Sequence, residues 1–284
     1  MKLSSALLAL LLFTVPALAA SEEDYIAARE KFHAQFKLKD GEPITDAISK
    51  AEENARGELE KQMQAIIGAS GVKGAPAQGK LNLDSLIEGD MGFRLLDGIV
   101  FKLKDDSQVL VTTKSLLTRW LKTEQEIWKN NSRHGPPAEI DAAMRAENFY
   151  TQALSHDAAV TRYAEIPVTE PNAYAMLIAH QQDVGPVVPK EIIVSVLRDN
   201  RLFVWTAPAA AKTAMFPPCA AIWTEFERKS LAANRDKKGA PDAMEKLEQE
   251  GHAKMRACYN ERAKAATFFP ALVKQAQELI ERTR

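Results

Sequence analysis

The chain is poor in the residue types that build metal centres and redox sites. It has two cysteines and five histidines among 284 residues. The histidines are scattered, and none is spaced from another histidine or from a cysteine as zinc ligands usually are. Cys219 and Cys258 are too far apart for the C-x-x-C arrangement of a thiol–disulfide enzyme. The sequence therefore predicts neither a metal site nor another cofactor.

An excess of one charge is also lacking. The chain carries 37 basic and 38 acidic side chains, a formal net charge of −1. Nucleic-acid binding normally depends on a basic surface, so no nucleic-acid partner is predicted. Phosphate loops, dinucleotide fingerprints and the G-x-S-x-G elbow are missing as well, which removes the motifs typical of nucleotide enzymes and α/β-hydrolases.

Long apolar runs are missing except at the N terminus. Lys2, an apolar stretch at 6–15 and the tripeptide Ala17-Leu18-Ala19 follow the order of a secretory signal peptide cleaved after Ala19. The apolar stretch is shorter than the roughly 20 residues that span a bilayer. We expect an exported protein without a membrane span after cleavage, in the periplasm or, as the alternative, secreted.

The two cysteines lie symmetrically about a turn-rich segment at 234–242. Apolar residues recur at helical steps on both sides of this segment, and each apolar stripe contains one cysteine. Two antiparallel helices would bring Cys219 level with Cys258, and export would permit their oxidation. Such a disulfide would stabilise the fold by about 3 to 4 kcal/mol through loop entropy. The sequence predicts a structural clamp rather than a redox pair.

The remaining pattern predicts an α+β fold of N-terminal helices, antiparallel β-hairpins in a meander, and a disulfide-clamped C-terminal helical hairpin. Helical periodicity occurs before residue 36, after a cap at Thr45, and at 114–130 and 138–154. Period-two patterns predict strands, of which the run at 173–181 could instead be a short helix. The predicted strands are 99–103, 109–113, 158–168, 173–181, 190–197 and 202–207.

Composition further divides the chain into five segments. The predicted boundaries are a signal peptide at 1–19, an N-terminal helical segment at 20–69, a linker at 70–80, an α+β domain at 81–210 and a helical hairpin at 211–284.

One internal echo links the two predicted hairpins. The run 99–106 resembles the run 193–200, and each precedes a second strand and then a helix. An internal duplication would make the two hairpins neighbours in one sheet. The alternative, which we favour, is that antiparallel hairpins share a pattern of alternating apolar residues and an acidic turn.

Few residues suggest chemistry. His156 and Asp157 are the only adjacent histidine and acid, and they could form an oriented base if a nucleophile lay nearby in the fold. A polar helix end is the simpler explanation for this pair. Phe203 and Trp205 share one face of the last predicted strand, and they would bind a ligand if that face were exposed or formed a pocket wall.

These observations favour a non-enzymatic envelope accessory protein that binds another envelope or extracellular protein. This hypothesis rests on two features of the sequence: it has no recognisable catalytic motif, and it predicts a rigid, charged helical hairpin suited to contact with a partner. Two alternatives stay open: an envelope hydrolase whose site, with His156 and Asp157, assembles only in the fold, and a small-ligand-binding protein that uses Phe203 and Trp205.

Overall fold

The strands of the described residues form an antiparallel sheet of seven, in the order β1-β2-β3-β7-β6-β5-β4. The computed structural model describes residues 21–36, 45–83, 96–120, 162–181, 186–211, 214–235 and 241–284. The strands are β1 (Lys80–Asn82), β2 (Gly98–Lys102), β3 (Gln108–Thr113), β4 (Arg162–Glu165), β5 (Ala173–Gln181), β6 (Val187–Arg198) and β7 (Arg201–Pro208).

In the described part of the chain, five long helices and one short helical segment accompany the sheet. They are α1 (Glu22–Phe36), α2 (Asp46–Ile67), α3 (Ala220–Arg235), α4 (Pro241–Lys264) and α5 (Phe269–Glu281), and residues 114–120 are helical as well. The fold is therefore α+β, which confirms the predicted class. None of the helices in the described ranges has the length and apolar content needed to cross a bilayer.

Local signals in the sequence place several elements correctly. Thr45 caps α2, because its hydroxyl accepts the backbone N–H of Ile48 at 3.3 Å. The run at 173–181 is strand β5, not a helix. The strand predicted at 158–168 is shorter where it is described, since β4 covers Arg162–Glu165 and ends before residue 168. The predicted helix at 138–154, and the part of the helix at 114–130 beyond residue 120, lie outside the described residues.

The two echoing hairpins meet at the middle of the sheet. β3 pairs with β7, so the hairpin β2–β3 lies beside the hairpin β6–β7, with Leu110 opposite Val204. The sequence similarity does not carry over to the direction of the side chains, since Ile99 and its counterpart Ile193 lie on opposite faces of the sheet. A shift of one residue reverses the face of a strand, and the two turns differ in length, at 103–107 and 199–200. Residues that are aligned without gaps in the runs 99–106 and 193–200 therefore do not all occupy equivalent positions in the sheet.

Apolar residues cover both faces of the sheet. The larger cluster joins one face to side chains of α1, α2, α4 and α5, among them Tyr25, Met63, Tyr259 and Leu272. The smaller cluster lies on the other face and includes Leu117 from the helical segment 114–120. The predicted N-terminal and C-terminal segments therefore share a core with the sheet, while the predicted domain boundaries stay a prediction.

A polar stripe on α2 closes the free edge of β1. The stripe consists of Arg56, Glu60 and Gln64. Arg56 donates to the Leu83 carbonyl at 2.9 Å, Glu60 accepts the Leu81 N–H at 3.1 Å, and Gln64 donates to the Gly79 carbonyl at 3.0 Å. A helix advances about 6 Å in four residues and a strand about 6.6 Å in two, so the two repeats match. Side chains of α2 thus take the place of a neighbouring strand.

The opposite edge of the sheet is covered by α4. There the backbone N–H of Glu165 in β4 donates to the side-chain oxygen of Asn260 at 3.2 Å. Exposed strand edges can pair with other chains, and a helix packed along each edge opposes such pairing.

Candidate functional site

The structure brings the two cysteines together and leaves the proposed base untested. Cys219 and Cys258 form a disulfide with a Cα–Cα distance of 6.3 Å, which confirms the predicted clamp. Cys219 is buried, as suits a structural bond. His156 and Asp157 lie outside the described residues.

Phe203 and Trp205 do not form an exposed surface. Both rings belong to the larger hydrophobic cluster, and their exposed fractions are 4% and 0%. β7 lies between β3 and β6 in the sheet, and the larger cluster covers these two rings. A role of these two residues in ligand binding stays a prediction.

Several contacts besides the disulfide fix the base of the C-terminal hairpin. The backbone N–H of Cys219 donates to the Tyr259 hydroxyl at 3.3 Å, and Arg262 donates to the Pro218 carbonyl. Phe216 packs edge-on against Tyr259 and pairs through its backbone with Val187 at the start of β6. The start of α3 is therefore joined to α4 and to the sheet at once.

Beyond this base, the hairpin leaves the core. We define residues 223–235 and 241–254 as the arm. None of its described side chains is buried, and none belongs to either hydrophobic cluster. The α4 part of the arm is about 21 Å long at 1.5 Å per residue. Leu231, whose exposed fraction is 62%, lies on this surface.

The two helices of the arm approach closely at a glycine. A Cβ atom added to Gly251 would lie 2.5 Å from the Phe226 ring, so the ring packs directly on the glycine backbone. On the surface of α3, Glu225 and Lys229 form an ion pair at 2.6 Å, and the hydrogen bond from Lys229 lowers the pKa of Glu225.

A cavity of about 400 Å³ opens elsewhere, between α5, the end of β7 and the turn that joins β2 to β3. Small or apolar residues line part of it, and two cations and two carboxylates also line it. The apolar lining consists of Ala207, Pro208, Ala210, Ala271 and Leu279, and we call the charged lining residues Asp105, Lys274, Glu278 and Arg282 the charged rim. Gln275 also lines the cavity. Its side-chain amide is already engaged, since it accepts the Ala210 N–H and donates to the Pro208 carbonyl, each at 2.8 Å.

Arg282 is the most firmly positioned of the rim cations. It pairs with Asp105 at 2.6 Å, donates to the Ser107 hydroxyl at 3.4 Å, and lies 5.7 Å from the centroid of the buried Trp205 ring. Partial desolvation by itself would raise the pKa of Asp105, but hydrogen bonds from Ser107 and Arg282 outweigh it and lower that pKa to about 2. Asp105 is therefore a carboxylate at neutral pH.

A second polar cluster lies under α1. The Tyr25 hydroxyl donates to the Asp97 carboxylate at 3.1 Å, and Arg29 pairs with the same oxygen. Burial, reinforced by the charge of Asp97, raises the pKa of Tyr25. Tyr25 therefore stays a hydroxyl donor, and the cluster tethers α1 to the start of β2.

Part of the cavity could be found in the sequence. Lys274, Glu278 and Arg282 recur every four residues, so they follow one face of α5 to its C-cap. Nothing local indicates that this face meets the turn at Asp105, because that contact joins residues that are far apart along the chain.

The described residues contain no group of three or more histidine, cysteine, aspartate or glutamate side chains able to hold a metal ion. No family model matches the chain, and neither a curated protein nor a solved structure does.

Proposed function

We propose that the chain is an exported, non-enzymatic accessory protein of the cell envelope, which binds another envelope or extracellular protein through the arm. The observation that carries this proposal is the contrast within the hairpin. Its base is held by a disulfide and by packing, while the arm contributes no described side chain to the core. A fixed element with a solvated surface is suited to contact with a partner.

Two features support export. The disulfide is typical of an oxidising compartment. α1 begins just after the predicted cleavage site, and its first turn is capped reciprocally. The Ser21 backbone N–H donates to Asp24 at 3.2 Å, and the Asp24 N–H donates to the Ser21 hydroxyl at 3.1 Å. Cleavage after Ala19 would leave this cap intact. We place the mature protein in the periplasm, with secretion as the alternative.

Leu231 is the proposed apolar anchor on the arm, since buried apolar anchors often dominate protein interfaces. The other large exposed apolar residue among those described is Met215, outside the arm, with an exposed fraction of 63% against 62% for Leu231. Met215 is therefore a matched control. The hydrolase alternative depends on His156 and Asp157, and the structure adds no observation in its favour.

Site-specific photo-crosslinking in the native host tests the proposal. A photo-reactive residue at Glu227 or Glu250 on the arm should yield one discrete adduct, whereas the same residue at exposed Lys61 on α2 should not. In the arm-labelled protein, Leu231→Ser should reduce the adduct and Met215→Ser should leave it unchanged. Absence of an arm-specific adduct would count against partner binding by the arm.

Export has its own measurement. N-terminal sequencing of the protein recovered from its host should begin at Ala20, in the fraction that contains periplasmic proteins or in the medium. A chain that keeps Lys2 and stays in the cytoplasm would contradict the proposed location.

A further inference from the structure

We infer that the cavity beside α5 is a binding site for a small zwitterion, of the size and chemistry of an amino acid or a dipeptide with small apolar side chains. This site lies outside the arm and is independent of the partner proposed for it. Its volume of about 400 Å³ falls in the lower part of the roughly 300 to 1,000 Å³ typical of small-molecule sites.

The charged rim supplies groups of both signs that are not fully engaged. The ion pair between Lys274 and Glu278 is long, at 3.7 Å, and both side chains are largely exposed. Arg282 uses one nitrogen for Asp105 and another for Ser107. A guanidinium carries five N–H donors, so Arg282, which lines the cavity, has donors beyond these two contacts.

The balance of charge selects the ligand class. Lys274 and Arg282 are cationic, while Asp105 and Glu278 are carboxylates, the former with a pKa of about 2. A ligand with a single charge would meet one repelling rim charge for every attracting one. A ligand with both an ammonium and a carboxylate can be complementary to the whole rim.

The apolar lining restricts the rest of the ligand. Ala207, Pro208, Ala210 and Ala271 present small apolar surfaces, with Leu279 beside them. Gln275 is occupied by backbone groups and offers little further recognition. The cavity therefore favours small aliphatic side chains over long or polar ones.

The positioning of Arg282 distinguishes this site from a chance surface depression. The guanidinium lies over the Trp205 ring and is held by Asp105 and Ser107. The backbone of Arg282 is fixed as well, because its carbonyl accepts the Lys73 N–H at 2.9 Å. A cation fixed before the ligand arrives loses little conformational entropy on binding.

Calorimetric titration of the full mature protein with L-alanyl-L-alanine in the millimolar range tests this inference. The dipeptide should bind, and both its N-acetyl and its C-amide derivatives should bind at least tenfold more weakly. Ala271 is exposed, so Ala271→Phe should fill the cavity without disturbing the core and abolish binding, whereas Ala271→Ser should retain it.

Charge variants sharpen the test. Lys274→Ala and Glu278→Gln alter exposed rim side chains and should each weaken dipeptide binding several-fold. Lys61→Ala removes a similarly exposed cation on α2 and should have no effect. The inference is overturned if no titrant binds the folded protein, if the blocked derivatives bind as well as the free dipeptide, or if Ala271→Phe leaves binding unchanged.

Discussion

The polar stripe on α2 makes a measurable prediction about how the sheet edge is maintained. Replacing Glu60 by alanine removes the acceptor of the Leu81 N–H, a hydrogen bond of 3.1 Å in a partly buried position. Arg56 and Gln64 would still bind Leu83 and Gly79. The variant also removes the hydrogen bond of 3.3 Å that the Gln64 amide donates to the other carboxylate oxygen of Glu60, but Gln64 keeps its bond to Gly79.

The size of the effect follows from the chemistry of this bond. A hydrogen bond to a charged group contributes about 1.5 to 3 kcal/mol, and partial access of water favours the lower end. Alanine is a better helix former than glutamate by a few tenths of a kcal/mol, which offsets the loss slightly. We expect Glu60→Ala to lower the free energy of unfolding by about 1 to 1.5 kcal/mol. Glu60→Gln keeps a neutral acceptor at the same position and should cost about half as much.

Two measurements check this prediction. Urea unfolding at neutral pH gives the change in free energy, and amide hydrogen exchange reports on Leu81 directly. The Leu81 amide should exchange faster in Glu60→Ala than in the native chain, while amides in the centre of β6 should change only by the global loss of stability. Unchanged protection of Leu81 in Glu60→Ala, or equal stability of all three proteins, would refute the idea that α2 replaces a strand at this edge.

Three further outcomes are expected. Cys219→Ser should destabilise the oxidised protein by up to about 4 kcal/mol through loop entropy, and its melting temperature should no longer respond to reductant, as that of the native chain should. The pKa of Asp105 is lower in the folded protein than its usual 3.8, so its pairing with Arg282 stabilises the fold above about pH 4 and this contribution is lost as the pH falls towards 2. The difference in unfolding free energy between the native chain and Asp105→Asn should accordingly be constant from pH 5 to 7 and shrink below pH 4; a constant difference down to pH 2 would contradict it. Gly251→Ala should destabilise the arm by about 1 to 3 kcal/mol, because the new methyl group meets the Phe226 ring, and Phe226→Leu in the same chain should recover part of the loss in thermal unfolding.

Local features of the sequence predict the elements whose determinants are themselves local. The β6–β7 hairpin is readable from Asp199 and Asn200, which adopt positive φ values of 47° and 61° in the turn. Thr45 is readable as a helix cap because its hydroxyl binds a backbone N–H only three residues along the chain. The cysteines are informative because each lies on an apolar helical stripe, and the two helices lie side by side.

Pairing between distant segments could not be predicted in this way. The contact of β3 with β7 and the short strand β1, placed partly in the predicted linker, depend on partners elsewhere in the chain. The stripe of Arg56, Glu60 and Gln64 has the spacing of a solvated helix face, and only the fold shows that it meets a strand. Trp205 illustrates the same limit, since an alternating strand pattern does not reveal which face will be covered.

The central pairing of β3 with β7 also has a consequence for the order in which the chain folds. The paired residues are separated by roughly 90 positions, whereas each hairpin can form from residues that are close in sequence. Closing so long a loop costs entropy before the contact stabilises anything. The two halves of the sheet should therefore form early and join late, and until they join, β3 and β7 would each present an unpaired edge. Variants that weaken the Leu110–Val204 region should slow folding and favour aggregation more than they weaken the finished protein.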